Sequence, residues 1–564
     1  MNEHPNGTHL APTVLLALGR AWRTGDSASI EPRTLAVEVA QAGVAALTGV
    51  TGGFAVASRD DQGRSWVAVD PFGIESACWR LVNGQLHVAA RADELADIEP
   101  RADIRCDAIY EYLYFHVIPS PATVFEGVYR VPPGHVVCHD GGELKALRYW
   151  NPHFNPQTGA HFEAQADEFR QALRQSVARQ LDGSKPACYL SGGTDSSTVA
   201  GMISRLTEGG ASSYSIGFDA SGYDEMAFAR IASKHFGTQH HEYYVTPADL
   251  VRGIPLVAGS YDQPFGNSSA VPAYYCARMA QADGVTRILA GDGGDELFGG
   301  NSRYAKQKLF DLYQWIPGPV RRGLMEPLLG RAQAAPVSVL RKAASYVEQA
   351  KVPMPDRLEI YNLLLRVDPR QLLEPGLLDR VDMAAPLRHQ RAVWQANGSI
   401  SELNRHLAFD WRYTLAEADL PKVRVSARLA GVEPGFPMLD SVLVDFSLRL
   451  TDADKLYGQK LRWFFKQALR GFLPQEIIDK KKQGFGLPFG VWLLQDAALM
   501  ALARESVESL VARRVVLGSA ARRLFESQVR EHPGYYGEMV WILMMLEQWL
   551  RQRRPDWVVP LAQA

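Results

Sequence analysis

Seven residues, Ser191-Gly192-Gly193-Thr194-Asp195-Ser196-Ser197, follow a short apolar strand, Ala187-Cys188-Tyr189-Leu190, and open an amphipathic helix carrying Val199, Met202, Ile203 and Leu206. This strand–turn–helix unit constrains the fold more than any other stretch. A chain that leaves a strand through a helix returns beside it in parallel, so such units build doubly wound sheets. The alternation continues on both sides. A helix with Phe169, Leu173, Val177 and Leu181 precedes the strand, and Ser213-Tyr214-Ser215-Ile216-Gly217-Phe218 and Arg287-Ile288-Leu289-Ala290 read as further strands. Beyond about Asn301 the pattern becomes mainly helical.

The first part of the chain has a different texture. Gly53-Phe54-Ala55-Val56-Ala57 and Trp66-Val67-Ala68-Val69 flank Asp60-Asp61-Gln62-Gly63, as in a hairpin. Gln85-Leu86-His87-Val88 and Gly134-His135-Val136-Val137-Cys138 suggest another strand pair. Tyr149-Trp150-Asn151-Pro152 then leads into a polar, turn-rich stretch ending near Gly159. The expected organisation is a β-rich domain over 1–159 and an α/β domain over 160–564, as a length of 564 residues suggests.

Composition narrows the partners. Apolar content of 46%, charged content of 22% and a net charge of −2 describe a soluble globular chain with no reason to bind nucleic acid or a membrane. Lys480-Lys481-Lys482 is a local basic patch. Cys78, Cys106, Cys138, Cys188 and Cys276 are scattered, without a CxxC pair or zinc spacing, as expected of reduced thiols in a cytoplasmic protein. The first residues lack a basic n-region and a cleavage site, and no stretch is long and apolar enough to span a bilayer.

The loop at 191–197 also implies chemistry. Where a Gly-rich turn ends a parallel strand, backbone N–H groups converge on an anion, and the next helix adds its own N-terminal donors and dipole. Gly192 and Gly193 permit close approach, and Ser191, Ser196 and Ser197 offer hydroxyl donors. Asp195 would repel bare phosphate, so it reads as a ligand for Mg2+ bridging a phosphate chain. The absence of GxxxxGK[ST] argues against γ-phosphoryl transfer. A second loop, Gly291-Asp292-Gly293-Gly294-Asp295-Glu296-Leu297-Phe298-Gly299-Gly300, also follows an apolar strand. Its three acids could complete a metal site or hold a general base. Its spacing does not fit an EF-hand. A third segment, Asp479 to Pro488, sets lysines beside a Gly-rich turn, where they could neutralise departing pyrophosphate.

Together the three segments resemble the asparagine synthetase family, the glutamine-hydrolysing type, whose synthetase domain has the N-type ATP pyrophosphatase fold. The linking text is similar too: Ser215-Ile216-Gly217-Phe218, Tyr223-Asp224-Glu225, Asp262-Gln263-Pro264-Phe265 and Ser268-Ser269-Ala270-Val271-Pro272. The resemblance implies ATP and Mg2+. Leu190, Ser191, Gly192, Gly193, Ser196, Ser197, Ile216, Ala290 and Gly291 would surround the nucleotide and Lys460 would help hold phosphate. Asp195 and Asp295 would hold Mg2+, and Asp292 and Lys482 would be catalytic. It implies a carboxylate activated as its adenylate and an amine that attacks it, releasing AMP and pyrophosphate.

Two departures qualify the resemblance. Family members that hydrolyse glutamine begin Met-Cys, and position 2 here is Asn2. Yet Asp70-Pro71-Phe72-Gly73-Ile74 and Phe125-Glu126-Gly127-Val128-Tyr129-Arg130-Val131-Pro132-Pro133-Gly134-His135 resemble later parts of the family's glutaminase domain, of Ntn-hydrolase type. A degenerate glutaminase-like domain is therefore expected, with the amine coming from ammonia, a substrate or a separate glutaminase. Second, the stretch from Lys422 to Asp440 ends Glu433-Pro434-Gly435-Phe436-Pro437-Met438-Leu439-Asp440, with Gly435 where the family has arginine and Arg424-Val425 where it has Asp-Arg. The resemblance places this changed charge pattern next to the acceptor pocket, which argues against free aspartate as the substrate. β-Lactam synthetases and lasso-peptide cyclases are family relatives, so an intramolecular cyclase stays open as an alternative. So do a thiolating adenylate-forming enzyme and a catalytically silent nucleotide-binding regulator. A homodimer or a pathway partner also stays open.

Overall fold

The computed structural model describes residues 12–26, 28–159, 161–220, 222–314, 317–321, 338–396, 401–481 and 486–561. Asn2 and Lys482 lie outside them. The chain is α/β. A β-rich N-terminal lobe is followed by a parallel sheet and a helical C-terminal part.

In the N-terminal lobe, β1 (Thr13–Arg23), β2 (Ser29–Ile30), β3 (Val50–Arg59), β4 (Ser65–Val69), β8 (His135–Asp140) and β9 (Glu143–Arg148) form an antiparallel sheet in the order β2-β1-β3-β4-β8-β9. A smaller sheet takes the order β6-β5-β7, from β5 (Cys78–Val82), β6 (Gln85–Ala89) and β7 (Val128–Arg130). Side chains alternate along β3. Phe54 and Val56 pack on helix α1 (Pro32–Ala42) through Leu35 and Val39, while Ala55 and Ala57 pack with Leu86 and Val131 on the small-sheet side. Burial on both faces explains why these strands read as continuous apolar runs. The hairpin expected around residues 60–63 is present, with Ala57 opposite Val67. The pairing suggested between 85–88 and 134–138 is not. β6 pairs with β5 and β8 with β4 and β9, because Leu86 packs onto the face of the large sheet. The two runs are layers of the lobe rather than neighbours in one sheet.

Helix α2 (Cys106–Phe115) leaves this lobe for the interface. It is followed by α3 (Phe162–Gln180), which covers the second sheet. That sheet has the order β12-β11-β10-β13-β14 and is parallel throughout, from β10 (Ala187–Tyr189), β11 (Ser212–Phe218), β12 (Gln239–Val245), β13 (Arg287–Leu289) and β14 (Glu433–Gly435). Its helices include α4 (Thr194–Leu206), α5 (Met226–Phe236), α6 (Ala270–Ala282), α7 (Gly294–Phe298) and α8 (Leu420–Leu429). The chain runs outward from β10 to β11 and β12, then returns to the other side of β10 for β13. The loops after β10 and β13 therefore diverge and leave a crevice at the carboxyl ends of adjacent strands, where open α/β sheets bind ligands.

Helix α9 (Pro533–Arg553) is buried without a break from Met539 to Leu550. Trp541 and Trp549 are fully buried, and their indole N–H groups donate to the carbonyls of Gly266 (3.0 Å) and Tyr261 (3.1 Å). The Tyr112 hydroxyl of α2 donates to the Ile542 carbonyl at 2.8 Å, so one core runs through both lobes. Ion pairs reinforce the junction: Arg130 reaches Asp262 at 2.7 Å, and Arg428 donates to Glu75 at 2.9 Å. Arg424, also buried, donates to the Ile74 carbonyl at 2.6 Å beside Glu75. No described helix is long and apolar enough to cross a membrane. Replacing Glu75 by alanine strands the buried Arg424 guanidinium. We expect a loss of about 3 kcal/mol in the free energy of unfolding, measured by urea denaturation.

Candidate active site

The loops after β10 and β13 face each other across a cleft of about 1210 Å3. The first is shaped by two glycines with different tasks. Gly192 has a φ of +68°, and a Cβ there would overlap the Ala229 amide, so this glycine lets the turn lie on α5. Gly193 caps α4, and a Cβ there would meet only the Ser191 hydroxyl at 3.3 Å. The Ser191 and Ser196 hydroxyls lie 3.0 Å apart and hold the loop closed. Thr194, Asp195 and Ser196, in the first turn of α4, line the cleft, which leaves a helix N-terminus facing it.

The second loop presses against the first. A Cβ on Gly294 would overlap the Asp195 carboxylate, and one on Gly291 would stand 2.8 Å from the Ser196 amide nitrogen. Only glycine at these positions lets the acidic loop carry Asp295 so close to Asp195. The two carboxylates share one guanidinium. Arg462, buried and with a φ of +53°, donates through Nη1 to Thr194 Oγ1 at 2.6 Å and through Nη2 to Asp195 Oδ2 at 2.7 Å, and Nη2 also contacts Asp295. Arg462 was not singled out in the sequence. The motif-bearing loops end far from it along the chain, and an isolated arginine at a strand–helix junction carries no signature.

Asp292 sits beside a second cation. Lys422 of α8 lies 3.7 Å from Asp292 and 3.0 Å from Asp419. Burial raises the Asp292 carboxyl to about 6, with Lys422 opposing the rise and Asp419 and Asp195 adding to it. Burial alone would lower the Lys422 ammonium, but Asp419 and Asp292 outweigh it and hold it above its ordinary range. Glu296 is pushed well above the carboxylate range by burial and by Asp295 and Asp419.

Of the other residues read from the sequence, Leu190, Ser191, Ile216, Gly291 and Lys460 line the cleft. Gly192, Ser197 and Ala290 do not. Ser197 is one helical step, about 100°, round from Ser196 and is fully buried, and the Ala290 amide is engaged by the Gly435 carbonyl at 2.8 Å. Within the late lysine segment, Lys480 is the described residue that closes on the loop. Its ammonium lies 3.1 Å from Glu225, 3.3 Å from the Gly192 carbonyl and 4.6 Å from the centre of the Phe228 ring. Neither departure at 424 or 435 faces the cleft. Lys422 does, and two residues along a helix is a turn of about 200°, which points Arg424 to the lobe interface. Gly435 lies in β14, where a Cβ would stand 3.1 Å from the Arg287 guanidinium and 3.0 Å from Gln180. The N-terminal lobe supplies part of the wall through Phe115, His116 and Val117, and α9 supplies Glu538. Burial lowers His116 to about 4 and raises Glu538 to about 7.

Comparison with known proteins gives this geometry a family. Residues 168–551 match the asparagine synthase family model, and residues 15–150 match a glutamine amidotransferase domain. The chain belongs to the asparagine synthase family. Asparagine synthetase [glutamine-hydrolyzing] 1 of Bacillus subtilis is 25% identical over 76% of this chain and 66% of its own length, so the chain spans just under two thirds of that relative. A putative asparagine synthetase [glutamine-hydrolyzing] of Mycobacterium tuberculosis is 25% identical over 90% of this chain and 77% of its own length. Amidase chry2 of Gibberella zeae is 28% identical over 47% of this chain and 42% of its own length. Within this asparagine synthase fold the contact between Gly294 and Asp195 is a sensitive point. Gly294→Ala should displace the Asp195 carboxylate and lower the free energy of unfolding by about 1–3 kcal/mol, measured by urea denaturation.

Proposed function

We propose that the chain is an ATP-dependent ligase that forms carbon–nitrogen bonds, activating a carboxylate as its adenylate and transferring the acyl group to an amine. The observation that carries this reading is the meeting of the two loops at the reversal of strand order, with Asp195 and Asp295 on one point and Asp292 on another. The cleft exceeds the roughly 300–1,000 Å3 usual for one small ligand, which suits a nucleotide and a second substrate together. That second substrate is aspartate or a larger, specialised carboxylate. We assign the N-terminal lobe to residues 1–159 and the ligase lobe to 160–564. The scattered cysteines suit a reducing compartment such as the cytoplasm.

Asp195 and Asp295 fit Mg2+. They are two hard oxygen ligands on one point, and no larger set of His, Cys, Asp and Glu side chains that could hold a metal occurs among the described residues, in keeping with an ion that takes its remaining ligands from phosphate and water. When bound, the ion would neutralise phosphate charge. The loop at 191–196 and the α4 N-terminus orient the phosphate chain, and Lys480 and Lys460 add positive charge around it. A carboxylate oxygen attacks the α-phosphorus, the bond to the bridging oxygen breaks, and pyrophosphate leaves with that electron pair. The amine then attacks the acyl carbon, the bond to AMP breaks, and the amine proton passes to Asp292. Lys422 holds Asp292 in place and favours its charged form.

Exchange of labelled pyrophosphate into ATP, driven by a panel of carboxylates, tests the reading, and ADP as the stoichiometric product would refute it. Asp195→Ala and Asp295→Ala should each lower the exchange rate roughly a thousandfold or more at saturating ATP. Because Asp292 must be ionised to take the proton, amide formation should fall as pH drops through about 6. The Lys422 charge lowers the Asp292 pKa, so Lys422→Met should shift that limb of the pH–rate profile to higher pH. An unmoved limb would take Asp292 out of the role.

A further inference from the structure

One wall of the cleft carries two polar side chains that the proposed reaction does not use. His116 closes the C-terminus of α2 with a φ of +64°, the left-handed conformation in which helices commonly end on glycine. Here a residue with a side chain holds that conformation on the cleft wall. Glu538, half-buried, reaches the same wall from α9. One scaffold sets both positions. Tyr112, one turn before His116, donates to the carbonyl of Ile542, one turn after Glu538, at 2.8 Å. The Gly266 amide donates to the His116 carbonyl at 2.8 Å, and the Gly266 carbonyl accepts from Trp541 at 3.0 Å.

The charge of Glu538 is placed unlike that of other acids on the wall. Asp195 stands beside Arg462, Asp292 beside Lys422 and Glu225 beside Lys480. Among the described residues, no cation and no hydrogen-bond donor meets Glu538, and burial by itself raises its carboxyl to about 7. A carboxylate desolvated in this way is stabilised by any cation that comes beside it. From this placement, and from the reading of the cleft as an adenylation site, we infer that Glu538 selects a carboxylate substrate that also carries a protonated nitrogen, an ammonium or guanidinium group. That nitrogen is one that does not react. An amine attacks only as its free base, and a carboxylate beside it favours the protonated form. His116 adds a hydrogen-bonding edge to the subsite. Burial lowers it to about 4, so its ring is uncharged near neutral pH and does not repel the cation. The departures at Arg424 and Gly435 face away from the cleft, which leaves the choice of substrate to wall residues such as these.

The test uses the full chain and non-reacting sulfamoyl adenosine mimics of the adenylate, titrated by calorimetry. One set carries glycyl, β-alanyl, γ-aminobutyryl and ε-aminocaproyl groups, and a matched set replaces each ammonium by methyl. In wild type, the ammonium mimic of best length should bind roughly tenfold or more tightly than its methyl counterpart. Glu538→Gln, which keeps the shape and removes the charge, should bring the two within about twofold of each other and leave the methyl set at wild-type affinity, which also shows that the fold is intact. Glu538→Met, a side chain suited to a half-buried helix position, repeats the measurement without any polar group. His116→Gly, which relaxes the left-handed backbone as it removes the ring, should weaken the ammonium set more than the methyl set. No ammonium preference in wild type at any chain length would overturn the inference, and so would a preference that survives in both Glu538 variants. Failure of wild type to bind either set would instead refute the proposed function.

Discussion

Everything at the centre of this molecule depends on bringing two carboxylates together without letting them repel each other apart. Asp195 begins a helix after one strand and Asp295 begins a helix after the neighbouring strand, and bare glycines at 291 and 294 let the second loop fold down onto the first. Like charges this close need positive charge beside them, and Arg462 supplies a guanidinium from a segment far along the chain. Residues from three distant parts of the sequence are thus tied at one point. The sheet order makes the approach possible, since only at the reversal between β10 and β13 do neighbouring loops diverge enough to leave room for a substrate.

Much of this was legible in the sequence because loops this tight beside a strand must use small residues in a fixed order. The strands at 187–190, 213–218 and 287–290 and the helices around them followed from apolar periodicity. β12 and β14 did not. β12, Gln239-His240-His241-Glu242-Tyr243-Tyr244-Val245, is an edge strand whose polar face hides its alternation. β14 is three residues long and contains Pro434, so nothing local marks it as a strand, and its place is set by pairing with β13. The same limit applies to the site. Asp195, Asp292 and Asp295 lie in recognisable loops, whereas Arg462 and Lys422 act through side chains whose importance exists only once the fold assembles. The charge change at Arg424 lies in a stretch whose family resemblance points to the acceptor pocket, but helical geometry turns Arg424 away from Lys422 and the cleft.

The N-terminal lobe matches an amidotransferase domain and contributes structure to the ligase cleft whatever its own chemistry. Phe115, His116 and Val117 follow α2 and form part of the wall, and the His116 carbonyl accepts from the Gly266 amide at 2.8 Å. Buried ion pairs at Glu75 and Asp262 add orientation to the apolar contact, because breaking them strands a charge. The lobes are therefore a single packed body around the cleft, and α2 ties the N-terminal side to its wall.

The buried helix at 533–553 has a consequence for how the molecule comes into being. On the ribosome, the strands of both sheets and both glycine loops are made long before this helix, yet Trp541, Ile542 and Trp549 are what fasten residues 261–266 and α2 in place. Until that helix emerges, the junction between the lobes lacks its central filling, and its apolar partners remain exposed on the nascent chain. Synthesis of this protein thus passes through a long interval in which the glycine loops exist but the chamber they line does not.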